Sequence, residues 1–150
     1  MNEVARILLV EDDPQDVELT MAAFEEIRIA NEVVVLHDGA EAIDFLFHKG
    51  VYENALELKP AVVLLDLKLP KVSGIEVLKA IRDSSELQNL PVVILTSSRE
   101  ERDLLDGYRF RTNAYVVKPV DYREFIAAVK EIGLFWTIYN EPPPGSVRKP

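Results

Sequence analysis

A chain of 150 residues, 48% hydrophobic and 29% charged, has the length and balance of one soluble domain that buries most of its apolar surface. Its net charge of −9 argues against nucleic-acid binding, because phosphate contacts need clustered Lys and Arg, and the lack of cysteine excludes disulfides, thiol catalysis and thiolate metal sites. The N-terminus has no basic stretch followed by an apolar run, and no apolar segment approaches the ~18 residues of a membrane span, so a cytoplasmic protein is expected.

Along the chain, short β-branched runs alternate with longer helical patterns. Ile7-Leu8-Leu9-Val10 is continuously apolar, as a strand covered on both faces requires. Pro14 and Asp16 open a helical stretch in which Val17, Met21, Phe24 and Ile27 recur at helix spacing. Val33-Val34-Val35-Leu36 is the second strand, and Asp38-Gly39 leads into a helix carrying Ala42, Ile43, Phe45 and Leu46. Residues 50–60 break the pattern and read as a loop. Ala61-Val62-Val63-Leu64-Leu65 is the third strand and runs straight into Asp66; a helix follows Gly74, with Val77, Leu78 and Ile81 on one face. Pro91-Val92-Val93-Ile94-Leu95 is the fourth strand and ends at Thr96. Residues 99–110 read as a helix, Tyr115-Val116-Val117 as the fifth strand, and Asp121 as the cap of a last helix. Five strand–helix repeats predict an α/β domain, a doubly wound five-stranded parallel sheet with helices on both faces. The Pro142-Pro143-Pro144-Gly145 tail suits neither helix nor sheet.

In an open parallel sheet, ligands bind outside the carboxyl ends of the strands. Glu11, Asp12 and Asp13 end the first strand, Asp66 the third, Thr96 the fourth and Lys118 the fifth. Carboxylates crowded along one edge repel one another, and either raised pKa values or a hard cation relieves that. Oxygen-only donors with open positions suit Mg²⁺. Taken singly, each residue has a blander explanation: an acid after a strand is often a helix cap, and a Thr there often reflects strand propensity. Their joint placement at four strand ends carries the functional reading.

The motifs Leu9-Val10-Glu11-Asp12-Asp13, Leu65-Asp66-Leu67-Lys68-Leu69-Pro70 with Gly74, Leu95-Thr96-Ser97 and Tyr115-Val116-Val117-Lys118-Pro119 stand in order with typical separations. Over roughly residues 5–132 the chain resembles a response-regulator receiver domain, which has the flavodoxin-like fold. The resemblance implies that Asp66 is the phosphoacceptor. It implies that Asp12, Asp66 and the Lys68 carbonyl bind Mg²⁺, with Glu11 acting directly or through water. Lys118 would hold the phosphoryl group, Thr96 would hydrogen-bond it, and Tyr115 would change rotamer with Thr96. The bond before Pro119 is expected to be cis. Lys68 and Ser98, two residues after Asp66 and Thr96, would tune the phosphoryl lifetime, and neither positions a hydrolytic water well. The chain is expected to be a switch, not an enzyme.

A receiver domain over residues 1–132 leaves 133–150 as a C-terminal extension. Phe125, Val129, Ile132, Trp136 and Tyr139 draw one apolar stripe along a helix, with Phe135 beside it, and Gly133 weakens its continuity. The stripe's second half predicts a homodimer through the last helix and its extension. Leu134-Phe135-Trp136, Asn140-Glu141-Pro142-Pro143-Pro144 and the stretch around Phe47-His48-Lys49-Gly50 resemble single-domain response regulators paired with bacterial phytochrome histidine kinases. The implied partner is a light-sensing histidine kinase, with output through protein contact; a phosphate sink or phosphorelay intermediate is the alternative. Arg111-Thr112 departs from the family's usual small pair before the fifth strand. His37 and His48 read as solvated surface residues. An aspartyl-phosphate phosphatase would need a second acid where Lys68 stands, and a flavin binder would need a Gly-rich loop after the first strand that is missing here.

Overall fold

The computed structural model describes residues 6–26, 31–54, 60–97 and 114–118, with positions 121, 123, 124, 126 and 127. Five strands, β1 (Arg6–Val10), β2 (Val33–Leu36), β3 (Pro60–Asp66), β4 (Val92–Thr96) and β5 (Ala114–Val117), form one sheet in the order β2-β1-β3-β4-β5. Every neighbouring pair is parallel. Among the described residues the helices are α1 (Pro14–Glu26), α2 (Gly39–Leu46) and α3 (Gly74–Asp83), with one 3₁₀ turn at Gly50–Tyr52.

The period-2 alternation of the strands sorts their side chains onto two faces. Leu8, Val10, Val63, Leu65, Val92 and Ile94 join Phe45 and Leu46 of α2 and Val77, Leu78 and Ile81 of α3 in one cluster. Ile7, Leu9, Val62, Leu64, Val93 and Leu95 join Phe24 of α1 in the other, with Val17 and Met21 packed against it. Helices therefore cover both faces, which explains why β1, β3 and β4 are continuously apolar where a one-faced sheet would alternate. Residues 7–10 and 62–65 are wholly buried.

The helix starts follow local chemistry. Asp13 Oδ1 accepts from the Gln15 amide at 2.9 Å, and Pro14 takes the first helical position, where a missing N–H costs nothing. Asp38 caps α2 by accepting from the Glu41 amide at 2.7 Å. Ser73 and Glu76 form a reciprocal capping box at the start of α3. Asp121 Oδ1 accepts from the Glu124 amide at 2.9 Å, the expected cap of the last helix.

Several details differ from expectation. The stretch read as loop over residues 50–60 contains the 3₁₀ turn, and β3 starts one residue early at Pro60, where a strand's first position tolerates a residue without an N–H. His48 is half-buried with φ 55°, and its Nδ1 is buried without a hydrogen-bond partner. It takes the left-handed position that ends α2, where the Lys49 amide returns to the Asp44 carbonyl at 2.8 Å. His37 is exposed as expected. The expected helix over 99–110, Ser98, Arg111-Thr112, Pro119, and the interface residues Phe125, Val129, Ile132, Phe135, Trp136 and Tyr139 lie outside the described residues.

Candidate functional site

The strand order reverses direction at β1 and β3, which opens a crevice beyond their carboxyl ends. The chain leaves β1 through Glu11, Asp12 and Asp13, and leaves β3 through Asp66. One carboxylate oxygen each from Glu11, Asp12 and Asp66 lies within 4.8 Å of the others. Asp12 is exposed, whereas Glu11 is fully buried and Asp66 only 5% exposed.

Lys118 closes the cluster from the end of β5. Its amide donates to the Thr96 carbonyl at 2.9 Å, which sets the chain's direction past the sheet edge. Its Nζ lies 2.7 Å from Glu11 Oε1, 2.8 Å from Asp66 Oδ2 and 3.1 Å from Asp16 Oδ2. One ammonium thus faces three carboxylates, and Asp12 adds a fourth beside them. Burial is the main force on Glu11 and pushes its carboxyl up to about 7; the neighbouring Asp66 adds to the rise, and Lys118 only partly offsets it. Burial alone would lower Lys118, but its bonds to Asp66 and Glu11 hold the ammonium above its ordinary range.

The turn after β3 is shaped by two close approaches. A Cβ at Gly74 would overlap the Asp66 carbonyl oxygen, and a Cβ at Gly39 would overlap the Val72 carbonyl oxygen. Only glycine lets α3 start so close to Asp66 and lets the start of α2 brace the loop. The Gly39 amide donates to Pro70 O at 3.2 Å, and Gly74 N to Leu67 O at 2.9 Å. Within that turn the Lys68 amide donates to Asp66 Oδ1 at 3.1 Å, so both carboxylate oxygens of Asp66 have partners.

Thr96 is wholly buried at the end of β4. The β4–β5 register pairs Ile94 with Tyr115 and Thr96 with Val117. Ile94 belongs to the cluster against which Tyr115 packs, so alternation puts Thr96 and Tyr115 on one face of adjacent strands.

Of the expected site residues, Glu11, Asp12, Asp66 and Lys118 meet at one point, and Thr96 and Tyr115 share the neighbouring strands. Asp13 does not join them: it caps α1. Asp16 was read from sequence only as a helix opener, and it reaches Lys118. The one hint was its place a turn beyond Asp12, an ordinary position for an acid, since helix starts favour negative charge.

The response regulator receiver domain model matches residues 7–130. The chain belongs to the response regulator receiver family. Rcp1 from Synechocystis sp. is 38% identical over 130 residues, 87% of each chain, and a solved Mn²⁺-bound form of Rcp1 superposes with a TM-score of 0.71 at 36% identity, covering 97% of this chain and 99% of that one. The bacteriophytochrome response regulator AtBRR is 54% identical with a TM-score of 0.87, covering 93% of this receiver and all of its own chain. The phosphorylated cyanobacterial phytochrome response regulator RcpA is 37% identical with a TM-score of 0.72, covering 89% of this chain and 94% of its own. The receiver fold of this chain, a five-stranded parallel sheet between helices, is theirs.

The acid cluster fits a hard divalent cation. Its donors are all oxygen, none is a softer imidazole or thiolate, and the exposed Asp12 leaves a side open to water. Four carboxylates with one ammonium also leave excess negative charge for a cation to neutralise.

Proposed function

We propose that this receiver is a phosphorylation switch in which Asp66 takes a phosphoryl group from a sensor histidine kinase. The observation that carries the reading is the Asp66 carboxylate at the carboxyl end of β3, buried and bonded to Lys118 Nζ at 2.8 Å amid the acid cluster. An Asp66 oxygen forms a bond to phosphorus while the bond from phosphorus to the donor's imidazole nitrogen breaks, leaving an acyl phosphate. Asp12, Asp66, Glu11 and the Lys68 carbonyl would hold Mg²⁺, which supplies charge neutralisation when bound. Lys118 places its ammonium on the developing phosphoryl charge, and the Thr96 hydroxyl donates to a phosphoryl oxygen. Thr96 moving toward the new oxygens vacates space on the face it shares with Tyr115, which gives a two-state surface.

The kinase partner is of the phytochrome type, a reading supported by the likeness to AtBRR and RcpA. The switch works in the cytoplasm; no described helix is long and apolar enough to cross a membrane. Two copies pair along the apolar sequence stripe Phe125, Val129, Ile132, Phe135, Trp136 and Tyr139.

Intact mass after incubation with acetyl phosphate and Mg²⁺ tests the central step. One added phosphoryl group in the wild type and none in Asp66→Asn is expected; a phosphoryl group on folded Asp66→Asn would remove the assignment. Light scattering tests pairing, and a monomer both without and with Mg²⁺ plus beryllofluoride would end the dimer proposal.

A further inference from the structure

We propose that Asp16 is a positioning residue that competes with the phosphoryl group for the Lys118 ammonium, and so holds the receiver in its unmodified state. The inference rests on the switch reading above and deepens it. An ammonium has three N–H donors, and Lys118 has three carboxylates around it, Glu11 at 2.7 Å, Asp66 at 2.8 Å and Asp16 at 3.1 Å. Two of its donors are committed, to Asp66 and Asp16, and the Glu11 carboxylate shares the same ammonium as an ion pair before any phosphoryl group arrives. A new oxygen on Asp66 therefore competes with carboxylates that already share this ammonium.

The three contacts differ in what their loss leaves behind. The Glu11 side chain is 0% exposed and that of Asp66 7%, so water cannot take the place of Lys118 at either one. The Asp16 side chain is 25% exposed, its bond is the longest, and water can solvate it once Lys118 leaves. It also stands in the first turn of α1, where the helix N-terminus favours an ionised carboxylate. Asp16 is accordingly the partner that Lys118 gives up. Its charge also repels the added negative charge on Asp66. Both effects favour the unmodified state.

The test is a beryllofluoride titration of the full chain at saturating Mg²⁺, read by fluorine NMR. Asp16→Asn should bind roughly three- to tenfold more tightly than wild type. Asp16→Glu keeps a carboxylate in reach and should restore binding to within about twofold of wild type. Glu18→Gln makes the same charge change at an exposed site on α1 and should also stay within about twofold. Asp16→Ser carries the same expectation as Asp16→Asn, in case the amide disturbs the helix start. Asp16→Asn and Asp16→Ser binding no more tightly than wild type would overturn the inference while leaving the switch reading intact. Equal tightening in Glu18→Gln would also overturn it, by reducing the effect to net charge. A wild type that binds no beryllofluoride would remove the switch reading and this inference together.

Discussion

Val10 and Glu11 are neighbours, and both are fully buried, yet they belong to regions built on opposite terms. Val10 and the strand interiors around it bury apolar side chains, each worth roughly 1.5–3 kcal/mol. One residue later the sheet edge buries Glu11, Asp66 and Thr96, and sets a single ammonium against three carboxylates. The interior is close to its best arrangement as it stands. At the edge, an added cation or a redistributed proton improves the charge balance, so the edge is where a ligand shifts the protein's energy.

That contrast can be broken at either end. The largest effect belongs to the interior: Leu64→Ala should cost about 3–4 kcal/mol in urea unfolding, because a wholly buried leucine leaves a cavity that neighbouring strands cannot fill. A loss below about 1 kcal/mol would mean the interior is loosely packed.

The next effect belongs to Glu11. Burial raises its carboxyl from 4.5 to about 7, so between those values the folded state binds more protons than the unfolded chain. Its contribution to stability is complete below pH 4.5 and is lost as pH rises through about 7. For metal-free protein, the difference in stability between wild type and Glu11→Gln should shift by on the order of 2–3 kcal/mol over that window, in the direction that penalises wild type at higher pH. A pH-independent difference would show that Glu11 is not held against its charge.

The smallest effect is ligand stabilisation. Mg²⁺ at about ten times its Kd should stabilise the fold by about 1.4 kcal/mol, seen as a rise in Tm. Asp12→Asn should abolish most of that rise while leaving the metal-free Tm close to wild type, because Asp12 is exposed. An undiminished rise in Asp12→Asn would place the cation elsewhere.

The two regions were also unequally legible in the sequence. Strands buried on both faces are continuous apolar runs, so β1, β3 and β4 announced themselves, and the residues that end them followed directly. The meeting of Glu11, Asp12, Asp66 and Lys118 needed only the rule that such ends share one edge. Asp16 was illegible because its pattern is that of any helix start; its contact with Lys118 spans 102 residues and is made only by the tertiary fold. The left-handed backbone and buried Nδ1 of His48 were illegible because glycine, the usual sign of a left-handed helix end, stands two residues later at Gly50. Gly39 and Gly74 were visible as residues, but the carbonyls they make room for were not.

The central claim is that this edge accepts a phosphoryl group on Asp66, and locating that group directly is its sharpest test. Phosphorylated protein can be reduced with borohydride, which converts an aspartyl phosphate to homoserine, and then mapped by peptide mass spectrometry. The account predicts homoserine at position 66, dependent on both the phosphodonor and Mg²⁺. Homoserine at position 12 or 13, or a phosphorylated protein with position 66 unchanged, would contradict it.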